Sequence, residues 1–256
     1  MIEILQLPVL ADNYIYLIHE PRSGQTAAVD PAEAEPVLRA LDVRGWRLSH
    51  VLNTHHHSDH VGGNRLLKER TGCLIVGSKY DRARIPCIDR TVGEGDSVTL
   101  GETVARVLEV PGHTLGHITY WFAEDEALFC GDTLFALGCG RLFEGSAEQM
   151  WASLAKLRSL PEVTRVYCAH EYTQSNARFA LDVDPLNGAL RERARHINAL
   201  RRRGQPTVPS TLGEERSTNP FLRADDASLK AVLGLSSASD AHVFAEIRHR
   251  KDLFRA

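Results

Sequence analysis

A chain of 256 residues is long enough for one large domain or for a domain with an appendage. Its 43% hydrophobic and 25% charged residues are typical of a globular protein, and its net charge of −3 argues against a strongly basic nucleic-acid-binding protein. The charge is unevenly divided, because residues 1–173 carry 16 basic and 23 acidic side chains while residues 174–256 carry 14 and 10.

The first two thirds of the chain alternate between strand-like and helix-like segments. Apolar or alternating residues bounded by Asp, Pro and Gly predict strands at 2–7, 14–19 and 26–30. Helical spacing follows at 34–41, and a buried strand at 48–53 runs directly into a histidine cluster. The remaining predicted elements of this region are a helix at 63–70, strands at 73–76, 97–100, 104–109, 118–122 and 127–130, a helix at 147–159, and a strand at 165–168.

Beyond residue 170 the sequence becomes helical in pattern. Segments 174–183, 187–203, 226–234 and 239–251 all show helical spacing and few β-branched runs. We therefore predict an α/β fold over residues 1–173, with two layers of β-sheet and helices outside, and a small all-helical domain over residues 174–256.

Cysteine usage indicates a reducing compartment. The five cysteines are scattered and include no Cys-x-x-Cys pair, so we predict free thiols and a cytoplasmic location. The opening MIEILQLPVL lacks the basic segment and small-residue cleavage site of a signal peptide. No apolar run reaches the roughly 18 residues of a membrane span. We expect a monomer with no membrane or nucleic-acid partner.

The most informative pattern is H-x-H-x-D-H, formed by His55, His57, Asp59 and His60. It stands where a predicted buried strand ends, and loops that follow strands at a sheet edge commonly carry function. Imidazole and carboxylate groups together suit zinc and neighbouring transition metals. The pattern therefore predicts a metal site.

Three further predicted strands are each followed by one residue of ligand type: His113, Asp132 and His170. Alone, such residues are more often surface groups, turn formers or helix caps, but the nearby cluster favours ligation. Seven candidate ligands are too many for one tetrahedral ion and suit two ions that share a carboxylate. Three adjacent residues are interpreted instead as structural or supporting groups: His56, His117 and Glu171.

The motifs THHHSDHVGG, PGHTLGH, FCGDTLF and AHEYT resemble, in order, the metal motifs of the metallo-β-lactamase superfamily over residues 1–173. The resemblance implies an αββα sandwich with its site at one edge and two divalent ions, zinc being expected although iron or manganese would accept the same ligands. In the implied assignment the first ion is held by His55, His57 and His113, the second by Asp59, His60 and His170, and Asp132 bridges them.

A closer resemblance, covering nearly the whole chain, is to the glyoxalase II or hydroxyacylglutathione hydrolase family. LPVLADNYIYLI, GCGRLFEGSAEQM, HEYTQSNARFA, STNPFLR and RHRKDLF look like segments of that family. The residues matched to its glutathione-binding groups are Arg141, Phe143, Tyr172, Arg248 and Lys251. The family commonly has Lys and Tyr at the first two positions. At the first position, Arg141 offers a planar guanidinium in place of the compact ammonium of Lys. At the second, Phe143 lacks the hydroxyl of Tyr and so loses a hydrogen bond worth about 0.5–1.5 kcal/mol.

This resemblance implies hydrolysis of S-D-lactoylglutathione and related 2-hydroxyacyl glutathione thioesters to the hydroxy acid and glutathione, the second step of methylglyoxal detoxification. The nucleophile would be a hydroxide bridging two metal ions, with Asp59 and Asp132 as the catalytic residues. No Ser or Cys nucleophile is required, and the chain has no G-x-S-x-G motif.

Three alternatives remain open at this point. A glutathione-persulfide dioxygenase of the same superfamily would share the fold and a thiol substrate, but would use one iron and lack the RHRKD tail. An RNA-processing nuclease is disfavoured because residues 1–173 are acidic, where phosphate binding needs a basic face. A non-catalytic metal-binding relic is disfavoured because every ligand position is filled.

Overall fold

The computed structural model describes residues 1–255 and contains two compact units. Unit 1 comprises Met1–Glu109 and Gly116–Gly131, and unit 2 comprises Val110–Leu115 and the chain from Asp132 onward. The strands of unit 1 are β1 (Glu3–Val9), β2 (Asn13–Glu20), β3 (Gln25–Val29), β4 (Arg47–Leu52), β5 (Leu74–Ser78), β6 (Arg90–Val92), β7 (Ser97–Leu100), β8 (Thr103–Glu109), β9 (Ile118–Phe122) and β10 (Ala127–Gly131). Its helices are α1 (Ala34–Arg44), α2 (Ser58–Val61) and α3 (Asn64–Thr71).

The first sheet of unit 1 contains β1 to β6 in sequence order. The pairs β1–β2 and β2–β3 are antiparallel, and the pairs from β3 to β6 are parallel. Val29 at the end of β3 is in register with Leu52 at the end of β4. Because parallel strands end at the same edge, this register brings the residues that follow β3 and β4 together.

A second set of strands in unit 1 is antiparallel and hydrogen-bonded in the order β10–β9–β8–β7. Buried aromatic residues join it to the first sheet. The ring of Tyr16 on β2 meets that of Phe129 on β10 edge to face, with 5.5 Å between their centroids. The Tyr120 hydroxyl on β9 donates to the carbonyl of Asn53 at 3.0 Å.

The other face of the first sheet is covered by helices. α1 and α3 contribute apolar side chains to one buried cluster with the sheet, a pattern expected for helices with one apolar face. Its members include Leu17, Val51 and Ile75 from strands and Val37, Leu41 and Leu67 from helices. Unit 1 therefore has two β layers with helices outside.

Unit 2 is mainly helical. Its strands are β11 (Leu134–Phe135), β12 (Gly138–Cys139), β13 (Arg165–Cys168) and β14 (Ser210–Thr211), in the antiparallel pairs β11–β12 and β13–β14. Its helices are α4 (Ala147–Arg158), α5 (Thr173–Val183), α6 (Gly188–Arg202), α7 (Leu212–Thr218), α8 (Ala227–Leu233) and α9 (Asp240–Leu253), with a 3-10 helix at Pro220–Leu222.

A buried ion pair organises the helices of unit 2. Glu215 on α7 is fully buried and pairs with Arg193 of α6. Its carboxylate also accepts the backbone N–H of Leu137 at 2.9 Å and the side-chain amide of Asn219 at 3.0 Å. These donors compensate for the burial of the charge and anchor the loop between β11 and β12 to the helices.

The predicted fold class is confirmed, with mixed β layers and a helical C-terminal region. Every predicted strand and helix is present, with ends within three residues of those expected. The elements that were not predicted are short ones, such as α2, β6, α7 and the 3-10 helix. The domain division at residue 173 stays a prediction. In the structure, the last segment of unit 1 ends at Gly131, and the chain from Asp132 onward belongs to unit 2.

Two structural findings concern the sequence-based expectations about the cysteines and about membrane-spanning segments. All five cysteines are free thiols, as predicted. No helix within residues 1–255 combines the length and the apolar composition needed to cross a bilayer.

Candidate metal and substrate site

Unit 1 gathers the residues of the H-x-H-x-D-H pattern just beyond the end of β4. The chain leaves the strand at Leu52, and α2 starts directly after His57. His55 Nε2 lies 3.0 Å from His57 Nδ1, and His60 Nε2 lies 3.4 Å from Asp59 Oδ2. The rings of His55 and His60 are buried, while the side chain of Asp59 is 38% exposed.

Asp30, which directly follows β3, orients two of these rings. Its Oδ2 accepts the Thr54 hydroxyl at 2.7 Å and lies 3.1 Å from His60 Nδ1. A hydroxyl has one proton, so Thr54, having donated to Asp30, accepts from His55 Nδ1 at 3.0 Å. The network therefore assigns the proton to Nδ1 of both His55 and His60, which leaves their Nε2 lone pairs for ligation.

Asp30 was not predicted from the sequence as a site residue. The available signal was an Asp at the end of a predicted strand, the same setting as Asp132. One carboxylate oxygen of Asp30 and one ring nitrogen each of His55 and His60 lie within 4.8 Å of one another. Because Asp30 is occupied by hydrogen bonds to Thr54 and the His60 ring, we interpret it as a support for the ligands.

The neighbouring histidines have other contacts. His56 Nδ1 lies 3.1 Å from Asp81 Oδ2, and Arg84 Nη1 donates to His56 Nε2 at 3.2 Å. The His117 ring stacks on His55 with 4.6 Å between centroids. These contacts agree with the interpretation of His56 and His117 as structural groups.

Unit 2 brings together its own three predicted ligands around Asp132. Asp132 Oδ2 lies 3.4 Å from His113 Nε2, and Oδ1 lies 3.3 Å from His170 Nε2. His113 Nδ1 donates to the Arg141 carbonyl at 2.8 Å, because a carbonyl can only accept, so its Nε2 carries the lone pair. Gly140 permits this loop geometry, since a Cβ there would be 2.0 Å from the Asp132 carbonyl oxygen.

His170 and Glu171 are adjacent in sequence but differ in their surroundings. The His170 ring stacks on Tyr172 with centroids 4.7 Å apart and an interplanar angle of 2°. Glu171 instead accepts the hydroxyl and the backbone N–H of Thr207, at 2.6 and 2.8 Å. Glu171 thus anchors the segment before β14, as its interpretation as a supporting group requires.

The donor sets of both units fit divalent transition metals. Three imidazoles share one arrangement: His55, His60 and His113 each donate an Nδ1 hydrogen bond to an oxygen atom of the protein. The Nε2 atom of each ring therefore has a lone pair available for a metal ion. A carboxylate oxygen lies within 3.5 Å of Nε2 of His60 and of His113. Nitrogen and oxygen donors of this kind suit zinc, iron and manganese.

A cavity of about 460 Å³ lies within unit 2. Two predicted metal ligands, His113 and Asp132, contribute to its wall. All five residues predicted to bind substrate also line it: Arg141, Phe143, Tyr172, Arg248 and Lys251. A pocket that combines ligand-type groups, aromatic rings and three cations suits an anionic small molecule of moderate size.

The cations of this cavity are held to different degrees. Arg248 is 5% exposed, donating from Nη1 to the Cys139 carbonyl at 3.0 Å and from Nη2 to Asp252 at 2.8 Å. Arg141 is 69% exposed, and its Nε lies 3.9 Å from Asp252. Lys251 Nζ donates to the Ser175 carbonyl at 3.4 Å.

Burial and the nearby Arg248, Arg178 and Arg141 lower the pKa of Lys251 to about 8. The Lys251 charge is therefore sensitive to mildly alkaline pH.

Cys139 also lines the cavity, but its thiol is poorly suited to be a nucleophile. Burial raises its pKa to about 11, although Arg248 acts in the opposite direction. A thiol with this pKa is protonated at neutral pH, and the thiolate is the reactive form.

Comparison with known families divides the chain into two matched regions. Residues 13–170 match the model of the metallo-beta-lactamase superfamily, and residues 171–254 match the hydroxyacylglutathione hydrolase C-terminus. A curated relative from Methylococcus capsulatus, named hydroxyacylglutathione hydrolase, is 65% identical and is aligned over 100% of each chain.

Two solved structures share the fold. ETHE1 from Myxococcus xanthus aligns with a TM-score of 0.71 and 28% identity, over 99% of this chain and 92% of that one. TTHA1623, solved in a di-iron-bound form, aligns with a TM-score of 0.61 and 27% identity, over 86% of this chain and 100% of that one.

Proposed function

The chain belongs to the hydroxyacylglutathione hydrolases of the metallo-β-lactamase superfamily, and from this premise we propose that it hydrolyses S-D-lactoylglutathione to D-lactate and glutathione. The proposed substrates include related 2-hydroxyacyl glutathione thioesters. The reaction would form the second step of methylglyoxal detoxification. A cytoplasmic location and a monomeric state belong to the same proposal, and the free cysteines support the former.

We assign two divalent ions to the seven predicted ligands. His55, His57 and His113 hold the first ion, Asp59, His60 and His170 hold the second, and Asp132 is shared. Support comes from the motif order and from the clustering of ligands within each unit. Zinc is the proposed metal, while the di-iron form of TTHA1623 makes iron the first alternative to measure.

Two divalent ions, when bound, supply a hydroxide at neutral pH and a Lewis acid for the thioester carbonyl. The carboxylates of Asp59 and Asp132 would hold the ions, and Asp59 would also accept a hydrogen bond from the nucleophile and so orient it. The leaving thiol has an ordinary pKa of about 8.5, so its thiolate departs without a dedicated general acid. No side chain of the protein needs to form a covalent bond to the acyl group.

The substrate assignment rests on one observation: the cavity of unit 2 is lined both by predicted metal ligands and by all five predicted glutathione-binding residues. Glutathione carries two carboxylates, and Arg141, Arg248 and Lys251 supply cations for them. The rings of Phe143 and Tyr172 provide apolar walls on the same cavity.

Arg248 has a specific place in this arrangement. Two of its nitrogens are already used by Cys139 and Asp252, while its buried Nε has no hydrogen-bond partner among residues 1–255. We propose that Arg248 fixes the Cys139 loop and supplies positive charge at the cavity wall for a glutathione carboxylate.

The test is metal analysis combined with an anaerobic assay of S-D-lactoylglutathione hydrolysis. We expect two ions per chain, and thioester cleavage that is lost on chelation and restored by metal. Oxygen consumption with glutathione persulfide, at one iron per chain and without thioester cleavage, would instead identify the dioxygenase alternative. Failure on both substrates would contradict the proposed reaction.

A further inference from the structure

Asn13 is a buried residue that directly contacts a predicted metal ligand. It begins β2, is 6% exposed, and lies opposite Val9 in the β1–β2 register. Its side-chain Nδ2 donates to Asp59 Oδ2 at 3.0 Å and to the Asp59 backbone carbonyl at 3.3 Å. Asn13 therefore ties the β1–β2 hairpin to the loop that carries the H-x-H-x-D-H pattern.

The chemistry of these contacts fixes which way the amide faces. Both Asp59 groups are oxygen atoms that only accept, so the NH₂ end of Asn13 must face them. The NH₂ group then donates to two oxygens of Asp59. Rotation of the amide would lose both bonds, which makes Asn13 a rigid support for the Asp59 carboxylate.

Asp59 needs such support more than its histidine neighbours do. Thr54 holds the outer nitrogen of His55, and Asp30 holds that of His60. The Asp59 side chain is more than a third exposed, so water competes for its oxygens and burial restricts it less. An oriented donor compensates for this exposure.

The neutrality of the donor also matters. A Lys or Arg in the place of Asn13 would hold the carboxylate but would repel a divalent ion bound to it. A carboxylate there would repel Asp59. Of these groups, only the amide orients Asp59 without adding charge.

We propose that Asn13 is a positioning residue that presents Asp59 to the second metal ion and thereby sets the affinity of that ion. The inference rests on the proposed two-ion site, and it concerns metal binding independently of which thioester is cleaved. Loss of an outer support of this kind typically weakens metal binding about 10–100-fold. The effect should be confined to the ion held by Asp59.

The test uses the full-length protein, stripped of metal with a chelator and titrated with Co²⁺ or Zn²⁺. Asn13→Ala removes the donor, and Asn13→Leu keeps an uncharged side chain of similar size that cannot donate. In both variants we expect one ion to bind as in the wild type and the other, the ion assigned to Asp59, to bind about 10–100-fold less tightly. At subsaturating metal, kcat should fall with little change in KM, and excess metal should restore it.

Two controls separate positioning from general support of the fold. Asn187→Ala removes an amide that caps α6 in unit 2, so it should lower thermal stability without changing either metal affinity. In an Asp59→Ala background, Asn13→Ala should have little further effect on metal binding, because the carboxylate that Asn13 orients is already absent.

Wild-type affinities for both ions in Asn13→Leu would overturn the inference, as would equal weakening of both ions. An undiminished effect of Asn13→Ala in the Asp59→Ala background would also contradict it. If the wild type itself bound fewer than two ions, the proposed metal site would fail, and this result is distinguishable from failure of the Asn13 inference alone.

Discussion

The predicted metal ligands of unit 1 and the predicted substrate residues of unit 2 are held in different ways. The predicted ligands of unit 1 lie within six consecutive residues, and hydrogen bonds with Asp30, Thr54 and Asn13 restrain them. The cavity of unit 2 is lined by residues from separate segments, and its cations range from buried to largely exposed. Side chains restrained by hydrogen bonds suit metal binding, because metal binding demands fixed geometry. Charged side chains with more freedom suit a flexible peptide-like substrate.

The largest expected effect comes from Asp132, which contacts both histidine ligands of unit 2. Asp132→Ala should reduce thioester hydrolysis by about a thousandfold or more, because metal-supplied stabilisation is worth several kcal/mol. Occupancy of both ions should fall, as measured by metal analysis after gel filtration. Full activity with one tightly bound ion per chain would exclude a shared carboxylate.

A substitution at Asp30 tests whether the hydrogen bonds that restrain the predicted ligands of unit 1 are important for metal binding. In Asp30→Asn an NH₂ group replaces one of the two accepting oxygens, so either the Thr54 backbone N–H or the Thr54 hydroxyl and His60 Nδ1 lose their acceptor, and metal affinity should fall about 10–100-fold. The measurement is competition with a chromophoric chelator. Asp125→Asn, which removes another buried carboxylate of unit 1, should leave metal affinity unchanged.

The lowered pKa of Lys251 predicts a pH effect confined to substrate binding. Below about pH 8 the ammonium is charged and attracts a glutathione carboxylate, and above it the charge is lost. KM should therefore rise several-fold between about pH 7 and 9.5, while kcat follows a separate profile. Lys251→Arg should flatten the KM profile, and a profile identical to that of the wild type would rule out Lys251 as its source.

The smallest effect is expected at Cys139. Cys139→Ser should leave turnover within about twofold of the wild type, because the buried, protonated thiol is not the nucleophile. Complete loss of activity with both ions still bound would require a covalent mechanism.

The same contrast explains what could be predicted from the sequence. His55, His57, Asp59 and His60 form one compact pattern after a strand, and their clustering was predictable from spacing. Asp30 and Asn13 were missed because an isolated Asp or Asn beside a strand is usually a turn residue. Their roles depend on the register of β3 with β4 and on the β1–β2 hairpin, which only the folded chain reveals.

In unit 2 the resemblance to a known family was needed to select residues that lie far apart in sequence. Helical spacing predicted α9, but it did not predict that Arg248 is buried over the Phe221 ring, with 5.1 Å between the guanidinium carbon and the ring centroid. The short α7 was also missed, although Thr211 and Glu214 form a capping box at its start. Short helices have too few residues for a periodic pattern to stand out.

The most direct test of the account compares two substrates in Lys251→Ala: S-D-lactoylglutathione and a small thioester without the glutathione moiety. Arg250→Ala is the matched control, because Arg250 is on the same helix but does not line the cavity. We predict that Lys251→Ala raises KM for the glutathione thioester roughly ten- to a hundredfold, the range for one charge-assisted contact, and leaves the small thioester unchanged. Equal losses on both substrates would contradict the claim that unit 2 binds glutathione.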